Sequence, residues 1–313
     1  MAYTAAHLVD RVFPETPVRQ WVLSLPLSLR YLLAYNAGLV RGVLQIFVRA
    51  VFASIRRRAG LPASSRRARC GAVTFVQRFG DALNLNVHFH TLALDGIYVA
   101  DEEGNLTFRR VAPPSDAEVA RVADRVSRRV ARLLERRGLG PQTSGDECDL
   151  LSQRQPLLAE LYGASISGRV LAGPRAGARV AKVGDAIEVE DLPAPTGRSC
   201  AAISGLSVHA GVCIAARNRM RFERLCRYAG RPPLAAERLS ALPDGRLLYR
   251  LKRRWRDGTT HVVFEPLDLV AKLAALVPPP RFNVVRYYVA HRFMWSRERL
   301  GPQTKSCGPN RST

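Results

Sequence analysis

The chain is poor in lysine, poor in carboxylates, and has no closely spaced cysteine pair. Of its 313 residues, 48 are basic, yet only Lys182, Lys252, Lys272 and Lys305 are lysines. Asp and Glu total 26, leaving a formal charge of +22 and a pI near 10.9. Codon bias can favour arginine over lysine, but it does not remove acidic residues. A polyanionic partner is the natural reading, and arginine suits bidentate phosphate contacts and base stacking. The six cysteines (Cys70, Cys148, Cys200, Cys213, Cys226, Cys307) are scattered, with no C-x-x-C pair. That argues against a cysteine zinc finger and a disulfide scaffold, and fits a reducing cytoplasm. No signal-peptide layout opens the chain, and Pro26, Arg30, Arg41 and Arg49 interrupt the apolar stretch from Trp21 to Ile55. No membrane partner is expected. Apolar residues make up 47%, enough for a real core.

The segment from Asn84 to Gly96 (NLNVHFHTLALDG) carries the most information. It alternates as a strand does. Asn84, Asn86, His88, His90, Leu92 and Leu94 share one face, and Leu85, Val87, Phe89, Thr91 and Ala93 share the other. Two histidines at i and i+2 project the same way, so both imidazoles can reach one metal ion. An H-x-H doublet also suits a solvated strand face or a pair of hydrogen-bonded core histidines. The polar asparagines beside it, opposite an apolar face, favour a sided site. Gln77 is the first choice for a third ligand, because it sits among Val73, Phe75 and Phe79 on the preceding strand, Gly71 to Phe79. His209 and Asp95 compete with it. Two imidazoles and an amide oxygen would suit Mg²⁺ or Mn²⁺.

A tyrosine helix is expected over 215–228, stopped by Gly230, Pro232 and Pro233. Arg217, Arg221, Arg224 and Tyr228 fall at i, i+4, i+7 and i+11, one stripe at about 3.6 residues per turn. Phe222, Leu225, Cys226 and Ala229 make a separate apolar stripe. With Arg227 and Arg231, the basic stripe is a candidate DNA-binding face, and Tyr228 is the candidate nucleophile. Without the histidines, a surface tyrosine on a solvated basic helix would be the better reading.

Elsewhere the pattern predicts a strand at 20–26, a helix at 29–58 and the histidine strand continuing to about 99. A capped helix follows at 115–137, with Ser115 and Glu118 as a capping box. Residues 140–205 give weak signals and read as an irregular insertion. Another strand fits 206–214. A hairpin (246–255 with 260–264) and a helix at 267–277 follow. This divides the chain into a core at 1–230 and an Arg-rich extension at 231–313.

The run VQRFGDALNLNVHFHTLALDG (76–96) resembles the HUH region of IS91-family transposases. LCRYAGRPPLAAERL (225–239) resembles their catalytic-tyrosine region, and PVRQWVLSLP (17–26) their first strand. The resemblance implies an α+β HUH-endonuclease fold, a central antiparallel sheet flanked by helices. It implies metal-dependent single-strand DNA cleavage and strand transfer through a 5′-phosphotyrosine. His88 and His90 take the metal-ligand positions, Tyr228 the nucleophile's, and Gln77 stands where relatives have His or Gln. The implied partners are single-stranded DNA at transposon ends and target sites, in the bacterial cytoplasm at the nucleoid. Three departures stand out. Arg224 occupies the position of a second tyrosine found in some relatives. The Cys-rich zinc-binding domain is missing, and the tail after Tyr288 differs. These point to a truncated copy, for which the alternative is an inactive remnant that only binds nucleic acid.

Overall fold

The computed structural model describes residues 2–65, 67–139, 150–184, 199–280 and 282–288. The chain opens with α1 (Ala2–His7), extended by a π-helical turn at Leu8–Val12, then β1 (Val18–Ser24), α2 (Leu27–Tyr35) and α3 (Ala37–Arg58). Next come β2 (Ala68–Arg69), β3 (Ala72–Phe79), β4 (Leu85–Leu94), β5 (Gly96–Ala100), β6 (Leu106–Arg110) and α4 (Asp116–Glu135). The middle region holds α5 (Leu150–Arg154), α6 (Pro156–Ile166), β7 (Ala181–Gly184), β8 (Cys200–Ile203) and β9 (Leu206–Ile214). The last described part comprises α7 (Arg219–Ala229), β10 (Leu239–Ala241), β11 (Leu247–Arg250), β12 (Thr259–Phe264), α8 (Pro266–Leu276) and β13 (Val285–Tyr288).

The fold is α+β, as expected. Its central sheet has the order β13-β3-β4-β1-β9-β8, and every neighbouring pair is antiparallel. Alternation on β4 divides the protein into layers. Leu85, Val87, Phe89 and Ala93 enter one core with Trp21, Leu23, α2, α3 and the valines of α4. Leu92 and Leu94 enter another with Val73, Phe75 and the Phe222, Leu225, Cys226 and Ala229 stripe of α7. The expected helices at 115–137 and 215–228, here α4 and α7, therefore pack on opposite faces of the sheet.

Four differences from the sequence pattern have local causes. The expected 29–58 helix is two helices, because the Asn36 side chain accepts a hydrogen bond from Leu39 N and starts α3 afresh. The histidine strand ends at Leu94 rather than near 99. There Asp95 takes the Arg19 guanidinium in a buried ion pair at 2.8 Å, and the chain passes into a separate sheet, β2-β5-β6. Ser115 caps α4 as expected, but the Glu118 carboxylate binds Arg57 and Arg121. Within the expected irregular insertion, residues 150–166 form α5 and α6, 200–203 join the central sheet, and 181–184 join a four-stranded sheet with β10, β11 and β12. Residues 140–149 and 185–198 lie outside the described residues, as does the tail from 289 onward.

Helix α3 is long and apolar enough to cross a membrane by composition alone. Leu39, Val43, Leu44, Phe47, Val51 and Ile55 are buried in the main core, which makes it the central helix of this fold.

Candidate active site

The cleft forms where β3, β4 and the end of α7 meet. Cross-strand register sets Gln77 opposite His88 and Phe75 opposite His90. A register shift between Gln77 and Phe79 marks a bulge. It turns Phe79 into the main core, so the expected four-residue face of β3 stops at Gln77. The bulged Arg78 is buried against the carbonyls of Ala34 and Leu276, fastening the ends of α2 and α8 to this point.

The two histidines stand side by side, ring centres 5.0 Å apart. His88 Nδ1 donates to the carbonyl of Asn86 at 2.8 Å, which leaves Nε2 with its lone pair facing away from the strand. His90 Nδ1 meets the Gln20 amide at 2.5 Å. Its Nε2 is buried without a hydrogen-bond partner. Gln20 governs the tautomer of His90. The amide nitrogen faces Nδ1, which puts the proton on Nε2; with the amide turned so that its oxygen faces Nδ1, Nδ1 donates and Nε2 is free to bind. Desolvation lowers the His88 pKa to about 4 and that of His90 to about 3, with Arg231 adding to both. Both rings are neutral at physiological pH.

Gln77 joins the histidines to the tyrosine helix. Its Nε2 donates to the carbonyls of Tyr228 (3.2 Å) and Ala229 (2.6 Å), satisfying the open end of α7. Its Oε1 is buried and unpartnered, as is Asn86 Oδ1. A buried unpaired polar atom is uncommon and requires a reason. Here the His90 nitrogen and two amide oxygens, all on β3 and β4, are left open. Gln77 and the two histidines supply one amide oxygen and two imidazoles, ligand types that a mixed N/O divalent-ion site would use. Among the described residues, no group of three or more His, Cys, Asp or Glu could do so. Of the competing ligands, Asp95 is held by Arg19 and Arg58. His209 lies opposite Val22, which itself lies opposite His90, about 10 Å away across two strand spacings.

Tyr228 completes the cleft. Its ring meets His90 edge to face, centres 5.8 Å apart. Gly230 lets α7 come this close, because a Cβ there would lie 3.2 Å from the Phe75 ring. Two cations flank the phenol ring: Arg231 at 4.4 Å and Lys252 at 4.1 Å from its centre. Lys252 was not singled out by the sequence pattern. It lies just past β11, within the 246–255 segment that the pattern assigns to a hairpin strand but that leaves the sheet after Arg250. Desolvation, then Arg231, lowers its pKa.

The arginine stripe is only partly as expected. Helix α7 begins at Arg219, capped by Asn218, so Arg217 lies in the preceding turn rather than on the helix. Arg221, Arg224 and Arg227 are exposed on α7, with Arg227 paired to Glu223. Arg231 alone of the five expected arginines touches the tyrosine ring, and it also approaches Asp81 at 3.8 Å. Beside it, Phe75, Gln77, Phe79, Ala229 and Gly230 line an apolar cavity of about 400 Å³.

His88, His90, Gln77 and Tyr228 fall within residues 71–294, which match the Y2_Tnp family model, described as "Putative transposase". The match spans most of the chain, including His88, His90 and Tyr228, and the chain belongs to this transposase family. DNA is accordingly its partner. No curated protein matches it, and no solved structure does.

Proposed function

We propose that the chain is an HUH-type transposase of the IS91 kind. It would cleave single-stranded DNA and rejoin it through a 5′-phosphotyrosine on Tyr228. The observation that carries this reading is the Tyr228 ring set against His90, beside the unpaired His90 Nε2 and Gln77 Oε1. His88 Nε2, His90 Nε2 and Gln77 Oε1 would hold Mg²⁺ or Mn²⁺, which supplies Lewis-acid polarisation of the scissile phosphate when bound.

Tyr228 Oη attacks phosphorus. An O–P bond forms to the tyrosine as the bond to the 3′ oxygen breaks, and the phenol proton ends on the departing 3′-OH. The phosphodiester energy stays in the covalent link, so attack by another 3′-OH rejoins DNA without ATP. Arg231 and Lys252 are placed to receive the phosphate as it meets the phenol. Gln77 fixes the end of α7 and so the height of the nucleophile over the histidines. Arg224 replaces a second tyrosine, leaving one attachment point.

The test is incubation of the chain with labelled single-stranded DNA and Mn²⁺, followed by denaturing electrophoresis. A shifted, protease-sensitive adduct mapping to Tyr228 is expected. An adduct on Tyr287 or Tyr288 would overturn the assignment. No adduct at all would leave DNA binding as the chain's remaining activity.

A further inference from the structure

Helix α4 lies across the sheet from Tyr228, and its outer side is crowded with like charge. Arg57, Arg121, Arg125, Arg128, Arg129 and Arg132 line a shallow groove of about 470 Å³ with Asp124. Carboxylates pair with some of them: Glu118 takes Arg57 and Arg121, and Asp124 takes Arg128. Among the described residues, no ion pair reaches Arg125, Arg129 or Arg132. Burial and then Arg129, Arg57 and Arg128 lower the pKa of Arg125. A solvated helix face spreads its charges and mixes their signs, whereas this one concentrates one sign in a concave strip.

We propose that this groove is a second DNA-binding surface, and that it holds the phosphate backbone of a duplex. Three features favour that occupant. The charge is complementary to phosphate. Arg121, Arg125, Arg128 and Arg132 recur at i, i+4, i+7 and i+11, a stripe about 17 Å long at about 1.5 Å per residue, enough to follow roughly five phosphates spaced about 3.4 Å apart along one strand. The segment 116–135 has no aromatic residue, so it lacks the stacking platform that single-strand binding uses. Backbone contacts of this kind position DNA without reading sequence. The groove and Tyr228 lie on opposite sides of the sheet, so a duplex held on α4 leaves the tyrosine cleft free for a displaced strand. The proposal needs only DNA as partner and does not depend on the chemistry assigned to Tyr228.

Fluorescence anisotropy with the full chain tests it, using a 20-base-pair duplex and a 20-nucleotide single strand across a salt series. In the triple variant Arg125→Gln, Arg129→Gln, Arg132→Gln, duplex affinity should fall about tenfold or more. The slope of log K against log salt should lessen by about 2.7, or about 0.9 per lost phosphate contact. Single-strand affinity and adduct formation should change little. The corresponding triple Arg→Lys variant should restore the duplex slope, because charge rather than shape carries the contact. Unchanged duplex binding, an equal loss of single-strand binding, or no recovery with lysine would each overturn the proposal. A fold-independent arm uses the unmutated chain. Bound duplex should shield Arg125, Arg129 and Arg132 from phenylglyoxal, read by mass spectrometry, and full modification in its presence would overturn the proposal too.

Discussion

The two faces of the central sheet are built to different standards. On the α3/α4 face, Trp21, Phe47, Val87, Phe89 and Val126 pack with no exposure to solvent. On the α7 face, the same strands bring His90 and Gln77 into near-complete burial and leave an atom of each unpaired. The first arrangement gains free energy from removed apolar area. The second gives up part of that gain, since each unpaired buried polar atom costs on the order of 1–3 kcal/mol. A strand whose alternation serves stability on one side can afford a poorly satisfied site on the other.

The sharpest break in this contrast comes from chemistry. Tyr228→Phe removes one oxygen from a half-exposed ring, so adduct formation should vanish while the melting temperature stays within about a degree. The double change His88→Ala, His90→Ala should likewise abolish cleavage and spare most single-strand binding, which rests on arginine–phosphate contacts. Full cleavage by the double variant would remove the histidines from the site. Next in size is the opposite face. Phe89→Ala should cost about 3–5 kcal/mol, read as a lower denaturation midpoint with the metal response of the folded protein preserved.

Gln20→Leu should come third. Losing the group that sets the His90 tautomer should weaken Mn²⁺ affinity by about 10–100-fold, measured by titration calorimetry. Gln20→Glu, which holds Nδ1 protonated, should restore it; equal affinity in all three proteins would make Gln20 a packing residue only. A pH dependence is expected as well. The unfolded histidines protonate near 6.5, while in the folded chain they do so only near 4 and 3. Their contribution to stability is therefore full above about pH 6.5 and declines as pH falls toward 4 and below. Melting curves of a His88→Gln, His90→Gln variant should show a flatter fall over that window than the unmutated chain.

The sequence made the sided histidine strand readable because a period of two needs only local alternation. The tyrosine helix was readable in the same way, since its apolar stripe and the glycine and prolines after it are contiguous. The pairing of Gln77 with the end of α7 was not, because it joins residues 151 positions apart. Lys252 and Gln20 escaped for the same reason: each reaches the site from another strand or loop. Arg217 was misplaced because spacing at 3.6 residues continues on paper through Asn218, whose side chain starts the helix two residues later. The end of the histidine strand depended on Asp95, whose partner Arg19 lies on the neighbouring strand β1, 76 residues earlier in the chain.

Strand β13 has a practical bearing on how the protein can be handled. Residues 285–288 cover the outer edge of β3 at Ala72–Phe75, the strand that carries Gln77. A recombinant fragment ending before Val285 would bare a row of unpaired amides and carbonyls on a hydrophobic strand, the template on which neighbouring molecules stack edge to edge. Trimming the extension to obtain a smaller protein would therefore yield aggregates.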